Sequence, residues 1–379
     1  MKVRHVIPSV AEQSGGPGQA IVPMCLALQQ SEIEVVIATT SSGAEVPPIK
    51  QLQGVPIINM PAQFGASFKY SRPLAMWLKQ NVGNFDLVHI HAVFNHACTA
   101  AATVCRRQRV PYIIRPLGTL DPWSMKQKRW RKNLFWYLLG KRMLLDAAAV
   151  HYTSAGELEA AERSLGLNHG WVVPLGVDTA RVDNLNGSFL DLFPAPRQKE
   201  YVLVLSRLDQ KKGLEVLLDA FCRLKHDARF STWRLVIAGD GPSRYVATLK
   251  KIVNAHKADN SVVFTGRLDQ EAKLAALSHA SLLALPSHHE NFGLCAMEAL
   301  AMGVPVLISS NVNLAPQVER AKAGWIVKVD TGSIQAALAE ALTVRGERDR
   351  RGRNGKMLAA KFDWQVVAQE LVARYSQIV

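Results

Sequence analysis

The stretch Leu282-Leu283-Ala284-Leu285-Pro286-Ser287-His288-His289-Glu290-Asn291-Phe292-Gly293-Leu294-Cys295-Ala296-Met297-Glu298-Ala299-Leu300-Ala301-Met302-Gly303-Val304-Pro305-Val306 decides how the chain is read. Leu282–Leu285 is an apolar run without alternation, which predicts a strand covered on both faces. A short loop then carries Glu290, a helix begins near Phe292, and a second strand starts at Val306. Strand, helix and strand in that order give a parallel βαβ unit with a right-handed crossover. The amides of residues 291–294 fall at the helix start, where N–H groups lack partners and the helix dipole favours an anion. Glu290 and Glu298 bracket that start, placed to accept hydrogen bonds from ligand hydroxyls. The same two acids also fit a plain loop carboxylate and a solvated helix residue. Against the second reading, Glu298 is followed by the apolar Ala299-Leu300-Ala301.

The same alternation runs outward in both directions. Before residue 179, strands are predicted at Val3–Ile7, Val35–Ala38, Leu87–Ile90, Tyr112–Arg115, Ala149–Tyr152 and Trp171–Val173, with helices such as Phe94–Arg106 and Ser154–Ser164 between them. Residues 179–199 interrupt the pattern with Asn184, Asn186, Gly187, Pro194 and Pro196, and read as a connector. Strands resume at Tyr201–Leu205, Leu235–Ala238, Val262–Thr265, Leu282–Leu285, Val306–Ile308 and Trp325–Val329. Helices are expected at Leu214–Leu224, Gln270–His279 and Leu294–Met302. Trp364, Val367, Leu371 and Tyr375 recur at helical spacing and define a last helix. The fold class is therefore α/β: two Rossmann-like doubly wound domains, residues 1–178 and 200–360. The C-terminal helical segment 361–379 is expected to pack back on the first domain. Ligands in such sheets bind beyond the carboxyl ends of strands, which predicts a site in a cleft between the domains.

Four further motifs sit at predicted strand ends. Leu205-Ser206-Arg207-Leu208-Asp209-Gln210-Lys211-Lys212-Gly213 follows the first strand of the second domain, and Arg207 and Lys212 can both reach a diphosphate; a basic surface loop is the bland alternative. Gly15-Gly16-Pro17-Gly18 follows the first strand of the chain, where glycine lets the backbone approach a phosphate or a sugar. His89-Ile90-His91 ends another strand, and alternation points both imidazoles the same way. A hydrogen-bonded structural histidine is the plain reading; zinc lacks a nearby cysteine or acid in sequence to complete its ligand set. Gly239-Asp240-Gly241-Pro242 and Thr265-Gly266-Arg267 close two more strands.

Taken together, these motifs resemble those of glycosyltransferase family 4, the retaining enzymes of GT-B architecture. The stretch from Glu290 to Glu298 is similar to the family's E-x7-E signature. That resemblance implies donor-sugar contacts by Glu290, ribose contacts by Glu298, and backbone contacts to sugar and phosphate from Asn291, Phe292, Gly293 and Leu294. Asn291 stands where the family often has glycine. Arg207 and Lys212 resemble the pair that neutralises the departing diphosphate. Gly15 and Gly16 resemble the N-terminal Gly-Gly loop that faces the diphosphate. Gly239 and Arg267 correspond to loops beside the nucleotide, and His91 to the second histidine of an xHxH pattern near the donor sugar. Pro174-Leu175-Gly176-Val177-Asp178 is similar to a junction motif. The implied activity is retaining hexosyl transfer from a UDP- or GDP-sugar to a glycan or lipid-linked acceptor, as in enzymes that build bacterial surface polysaccharides and glycolipids. His91 and Glu290 would then be the catalytic pair. Asp-x-Asp is missing from the sequence, so no cofactor and no divalent metal are expected. A nucleotide-sugar epimerase or a sugar-phosphate synthase on the same fold is the nearest alternative.

Composition sets the remaining bounds. With 379 residues, 48% hydrophobic, the chain is long enough for two cores. Its five cysteines are scattered and read as reduced thiols. No apolar stretch reaches the roughly 20 residues of a membrane span, and the N-terminus lacks a signal-peptide pattern, so a cytoplasmic location is expected. The net charge of +14 is shared between the two halves of the chain. It suits phosphate ligands, an anionic membrane or nucleic acid; no recognition helix or stacking module supports a nucleic-acid partner. The segment from Lys126 to Arg142 holds seven basic residues and no acid, interleaved with Trp130, Phe135, Trp136 and Tyr137. It reads as a basic amphipathic helix for an anionic membrane surface, on the inner face of the plasma membrane. A core-packed helix with a solvated basic face is the alternative.

Overall fold

Strand β1 (Lys2–Ile7) is buried at every position after Lys2, because both of its sheet neighbours run parallel to it and helices cover both faces. The computed structural model describes residues 1–11, 16–41, 51–65, 68–121, 124–125, 129–179 and 201–379. It divides into two compact units, Met1–Gly176 with Trp364–Val379, and Val177–Asp363.

In the first unit the strands are β1, β2 (Glu34–Ser41), β3 (Gln51–Leu52), β4 (Val55–Pro61), β5 (Leu87–His91), β6 (Tyr112–Arg115), β7 (Ala149–Tyr152) and β8 (Gly170–Val172). Their order across the sheet is β3-β4-β2-β1-β5-β6-β7-β8. All pairings are parallel except β3 with β4. That hairpin is absent from the sequence reading, which expected parallel strands alone. Pro56 and Pro61 argue against a strand, yet near a sheet edge the missing N–H groups do little harm. Helix starts are set by side-chain caps: Ser71, Asn95 and Ser154 accept from Leu74, Cys98 and Glu157 amides. The C-terminal helix Trp364–Tyr375 packs against the helix Gly16–Gln30.

The second unit holds β9 (Tyr201–Leu205), β10 (Arg234–Ala238), β11 (Val262–Gly266), β12 (Leu282–Leu285), β13 (Val306–Ser309) and β14 (Gly324–Val327). They form one parallel sheet in the order β11-β10-β9-β12-β13-β14. Its core centres on Leu203-flanking residues Val202 and Val204 with Leu217, Leu218, Phe221, Leu235 and Ile237. A helix over Arg345–Ala360 was not anticipated, since its sequence is polar and holds three glycines. Tertiary packing explains two of them. A Cβ at Gly352 would stand 2.1 Å from the Gly303 carbonyl, and one at Gly355 would stand 2.7 Å from Leu300.

The division between units differs by a few residues from the sequence boundaries at 178 and 361. Gly176 lies flat on the indole of Trp364, so close that a Cβ would meet the ring at 2.3 Å. Just beyond, the Val177 amide donates to the Phe362 carbonyl at 2.8 Å. Apart from Thr179, the connector expected at 179–199 lies outside the described residues. No helix among the described residues is long and apolar enough to cross a membrane. All five cysteines are described and unpaired.

Candidate active site

In the second unit the loops at the carboxyl ends of the strands are tied to one another by backbone hydrogen bonds. The Leu208 amide donates to the Asp240 carbonyl at 2.7 Å, the Gly239 amide to Gly266 at 2.8 Å, and the His288 amide to Lys211 at 2.8 Å. Glu290 forms a bridge with Val312, its amide donating to Asn311 and its carbonyl accepting from Asn313. These bonds gather Arg207, Lys212, Gly239, Arg267, Glu290 and the 291–294 segment around one end of the sheet. Two glycines are obligatory there. Gly239 has φ +146 and a Cβ would come within 1.8 Å of the Ser206 carbonyl; Gly213 has φ +65 and faces the Pro286 carbonyl at 2.3 Å.

Glu290 does not project freely from its loop. Its carboxylate accepts from the Lys212 ammonium, with side-chain exposures of 21% and 16%. Glu298 is paired as well: Lys273 donates to it at 2.9 Å, with exposures of 19% and 11%. Each acid thus has a cation beside it that offsets the cost of its partial burial. Lys273 was missed from sequence; it lies within a helix, Gln270–His279, and belongs to no motif. Phe292 is buried and packs near Phe362, ring centres 6.0 Å apart. Gly293, at φ +84, caps the helix Leu294–Ala301, which starts at the first residue of the expected Leu294–Met302, two residues after Phe292, and ends one residue earlier. Its neighbour Cys295 is an inert thiol, pushed up to about 12 by burial. Arg207 is exposed, and its side chain has no ion pair or hydrogen bond among the described residues. Arg267 is exposed directly after Gly266.

The first unit holds a buried polar cluster that sequence spacing only half reveals. Parallel register places His5 beside His89 and His91 beside Arg115, all on one face of the sheet. His151 joins them from β7. His5, His89, His91 and His151 are all fully buried. The carbonyl of Val173 can only accept, so His151 Nε2 carries the proton that it donates at 2.7 Å. His151 Nδ1 then accepts from His89 Nε2 at 3.2 Å, and His89 Nδ1 accepts from the Tyr375 hydroxyl at 2.7 Å. A separate bond joins His5 Nδ1 and His91 Nε2 at 3.0 Å. Burial, reinforced by Arg115, holds all four imidazoles below their ordinary pKa, His5 down to about 3. They are neutral at pH 7.

Ring nitrogens of His5, His89 and His91 lie within 4.8 Å of one another, a spacing that a cation could in principle use. His5 and His91 bond each other instead, His89 is taken up by Tyr375 and His151, and the Arg115 guanidinium stands alongside. Ligating histidines usually donate their second nitrogen to a neighbour; here His5 Nε2 and His91 Nδ1 have no partner. His91, expected beside a donor sugar, is covered, and its unpartnered Nδ1 would have to be exposed to touch one. Gly16 opens the helix Gly16–Gln30 with open space around it. Gly15 lies outside the described residues.

Residues 193–357 match the family of glycosyl transferases group 1, and residues 15–176 match the glycosyl transferase 4-like domain. A phosphatidyl-myo-inositol mannosyltransferase of Mycobacterium tuberculosis is 32% identical over 213 residues, 54% of this chain and 53% of that protein. In that alignment the chain spans about half the length of the relative. A GDP-mannose:cellobiosyl-diphosphopolyprenol alpha-mannosyltransferase of Komagataeibacter xylinus is 22% identical over 393 residues, covering 100% of this chain and 94% of its own. Among solved structures, Anabaena HepE in complex with UDP and glucose superposes with a TM-score of 0.79 at 19% identity, with 100% of each chain covered. The two parallel-sheet units are those of the GT-B fold, and the chain belongs to the group 1 glycosyltransferases.

Proposed function

We propose that this chain is a retaining, metal-independent glycosyltransferase that moves a hexose from a nucleoside-diphosphate sugar to a hydroxyl of a lipid-linked glycan. The observation that carries this reading is the charge arrangement of the second unit: two half-buried Lys–Glu pairs and one exposed, unpaired arginine around a helix N-terminus. Arg207 is free to fork onto the diphosphate. Glu298, held by Lys273, accepts from ribose hydroxyls. Glu290 accepts from sugar hydroxyls, and as it does so Lys212 turns to the phosphate. The amides at the start of Leu294–Ala301 add a dipole aimed at the same charge. Catalysis is then mainly electrostatic stabilisation of the departing diphosphate by groups already in place. Cations and amides supply what a metal supplies elsewhere. Retention of configuration rests on the family resemblance. The two mannosyltransferase relatives make GDP-mannose the first donor to try.

The lipid-linked acceptor is supported by the first unit. The helix Arg129–Phe135 continues through a wide turn at Trp136–Gly140 into Lys141–Leu145. Phe135 and Trp136 pack toward the core. Trp130, Leu134, Tyr137 and Leu138 are exposed by 68, 54, 81 and 68%, a large apolar patch for a surface helix. Lys141 and Arg142 are also exposed, and Lys126 and Lys128 lie outside the described residues. Aromatic and basic residues on one exposed helix suit the headgroup region of an anionic leaflet.

The test is a panel of GDP- and UDP-sugars with a lipid-linked glycan acceptor, scored by nucleotide release and by the anomeric configuration of the product. A product of retained configuration, formed undiminished in EDTA, is expected. Inversion, or loss of activity in EDTA restored by magnesium or manganese, would overturn the corresponding part. A free epimer without transfer would favour the epimerase reading.

A further inference from the structure

The loop after β4 displays aromatic rings for no evident internal reason. Phe64 is 72% exposed and Phe68 40%, while Tyr70 and His96 are half-buried beside them. The Phe64 and Tyr70 rings are 6.1 Å apart, Tyr70 and His96 4.4 Å, and Phe68 meets His96 edge-on at 5.9 Å.

The display is built into the backbone. The Gln63 amide donates to the Tyr70 carbonyl at 2.7 Å, the Tyr70 amide to Phe64 at 2.9 Å, the Lys69 amide to Gly65 at 2.7 Å, and the His96 amide to Phe68 at 2.8 Å. Gln63 also accepts from the Arg72 amide at 3.0 Å. These bonds fix residues 63–65 and 68–70 and hold Phe64 outward at the expense of apolar exposure, and fixed exposed apolar groups mark binding sites. The loop leads from the carboxyl end of β4, and His96 opens the helix that follows β5, at the end of a parallel sheet where ligands bind.

His96 adds a polar handle. Its Nδ1 accepts from the Ser71 amide at 3.1 Å. Burial lowers its pKa, so the ring is neutral and Nε2 carries the hydrogen as a donor. Apolar ring faces beside one fixed N–H donor match a pyranose, which has an apolar C–H face and a rim of hydroxyls. A lipid surface would call for a cluster of exposed cations, whereas Lys69 beside these rings is half-buried and Arg72 alone is an exposed cation among the described residues 61–75.

We infer that Phe64, Phe68, Tyr70 and His96 form a sugar-stacking subsite that holds a pyranose ring of the acceptor glycan. This deepens the transferase reading above and rests on it for the word acceptor; the stacking itself does not.

The experiment applies the full-length protein and its variants to an array of mono- and oligosaccharides, with GDP and UDP binding followed separately by calorimetry. Wild type should bind pyranose glycans. Phe64→Ala and Phe64→Leu should weaken that binding about tenfold, the scale of one aromatic contact, and Phe64→Trp should retain it. In transfer assays the acceptor KM should rise relative to the donor KM. No glycan binding by wild type, or equal binding by Phe64→Ala, overturns the subsite. So does Phe64→Ala losing flotation with phosphatidylglycerol vesicles while keeping its glycans. Failure of GDP and UDP to bind, with glycan binding intact, instead removes the transferase reading and leaves the stacking site.

Discussion

The Lys212 ammonium and the Glu290 carboxylate are bonded to each other across 78 positions of sequence. One stands after β9 and the other after β12, strands that are neighbours in the sheet. The contact thus ties the two principal motifs of the second unit into one charged assembly before any ligand arrives.

That pairing separates two basic residues that sequence treated alike. Lys212→Ala leaves Glu290 half-buried without its cation, so both stability and transfer should fall, stability by about 1–3 kcal/mol. Arg207→Ala removes an exposed, unpaired side chain. Its melting temperature should stay within a degree or two of wild type, while kcat/KM drops roughly 30- to 4,000-fold, for a phosphate contact of about 2–5 kcal/mol. Thermal melts alongside initial rates check both. A destabilised Arg207→Ala, or near-normal turnover in it, would remove Arg207 from the proposed role.

Lys273 should matter for nucleotide binding although it lies in no motif. Lys273→Met removes the cation that holds the Glu298 carboxylate in place, so the acid loses its fixed orientation toward ribose hydroxyls. Calorimetry with free nucleoside diphosphate should show roughly tenfold weaker binding, the scale of one charge-assisted hydrogen bond. Glu298→Gln should do the same. Glu290→Gln should affect the sugar-bearing donor more than the free nucleotide. The opposite pattern would exchange the roles of the two acids.

The histidine cluster should make the first unit acid-labile. Its four rings are neutral when folded, because burial and Arg115 lower their pKa values. In the unfolded chain they take up protons near pH 6.5. Stability from this source is therefore complete above about pH 6.5 and is lost as pH falls below it, by up to about 1.4 kcal/mol per pH unit for each ring. Hydrogen exchange of β5 and of the helix Trp364–Tyr375, measured at pH 7.5 and 5.5, should show protection falling steeply. Equal protection at both values would mean that the rings are not held neutral.

The exposed helix should bind membranes through apolar as well as basic contacts. Wild type should float with phosphatidylglycerol vesicles at low salt. A Trp130→Ser, Tyr137→Ser, Leu138→Ser variant should lose most of that binding and keep its melting temperature, because none of the three is part of the core. Failure of wild type to bind would argue for a soluble acceptor.

The alternation of short apolar runs with helical spacing was enough to place β6, β7, β9 and β12 to the residue, and likewise the helices Leu214–Leu224, Gln270–His279 and Trp364–Tyr375. Burial on both faces leaves such strands few polar positions, Arg115 and His151 being the exceptions, and that near-uniformity is visible in one dimension. The motifs at strand ends were legible for a related reason: a sharp turn beside a ligand needs glycine, and a phosphate needs cations within a few residues of a helix start. What sequence could not supply was partnership. Lys212 with Glu290, Lys273 with Glu298, and the relay from Tyr375 through His89 to His151 join residues from separate elements, chosen by strand register and helix packing. The β3–β4 hairpin and the helix Arg345–Ala360 were hidden for the same cause. Proline in a strand and glycine in a helix are unfavourable locally, and become acceptable only where the outer neighbour is as short as the two-residue β3, or where a neighbouring backbone packs so closely that a Cβ would meet it at 2.1 Å.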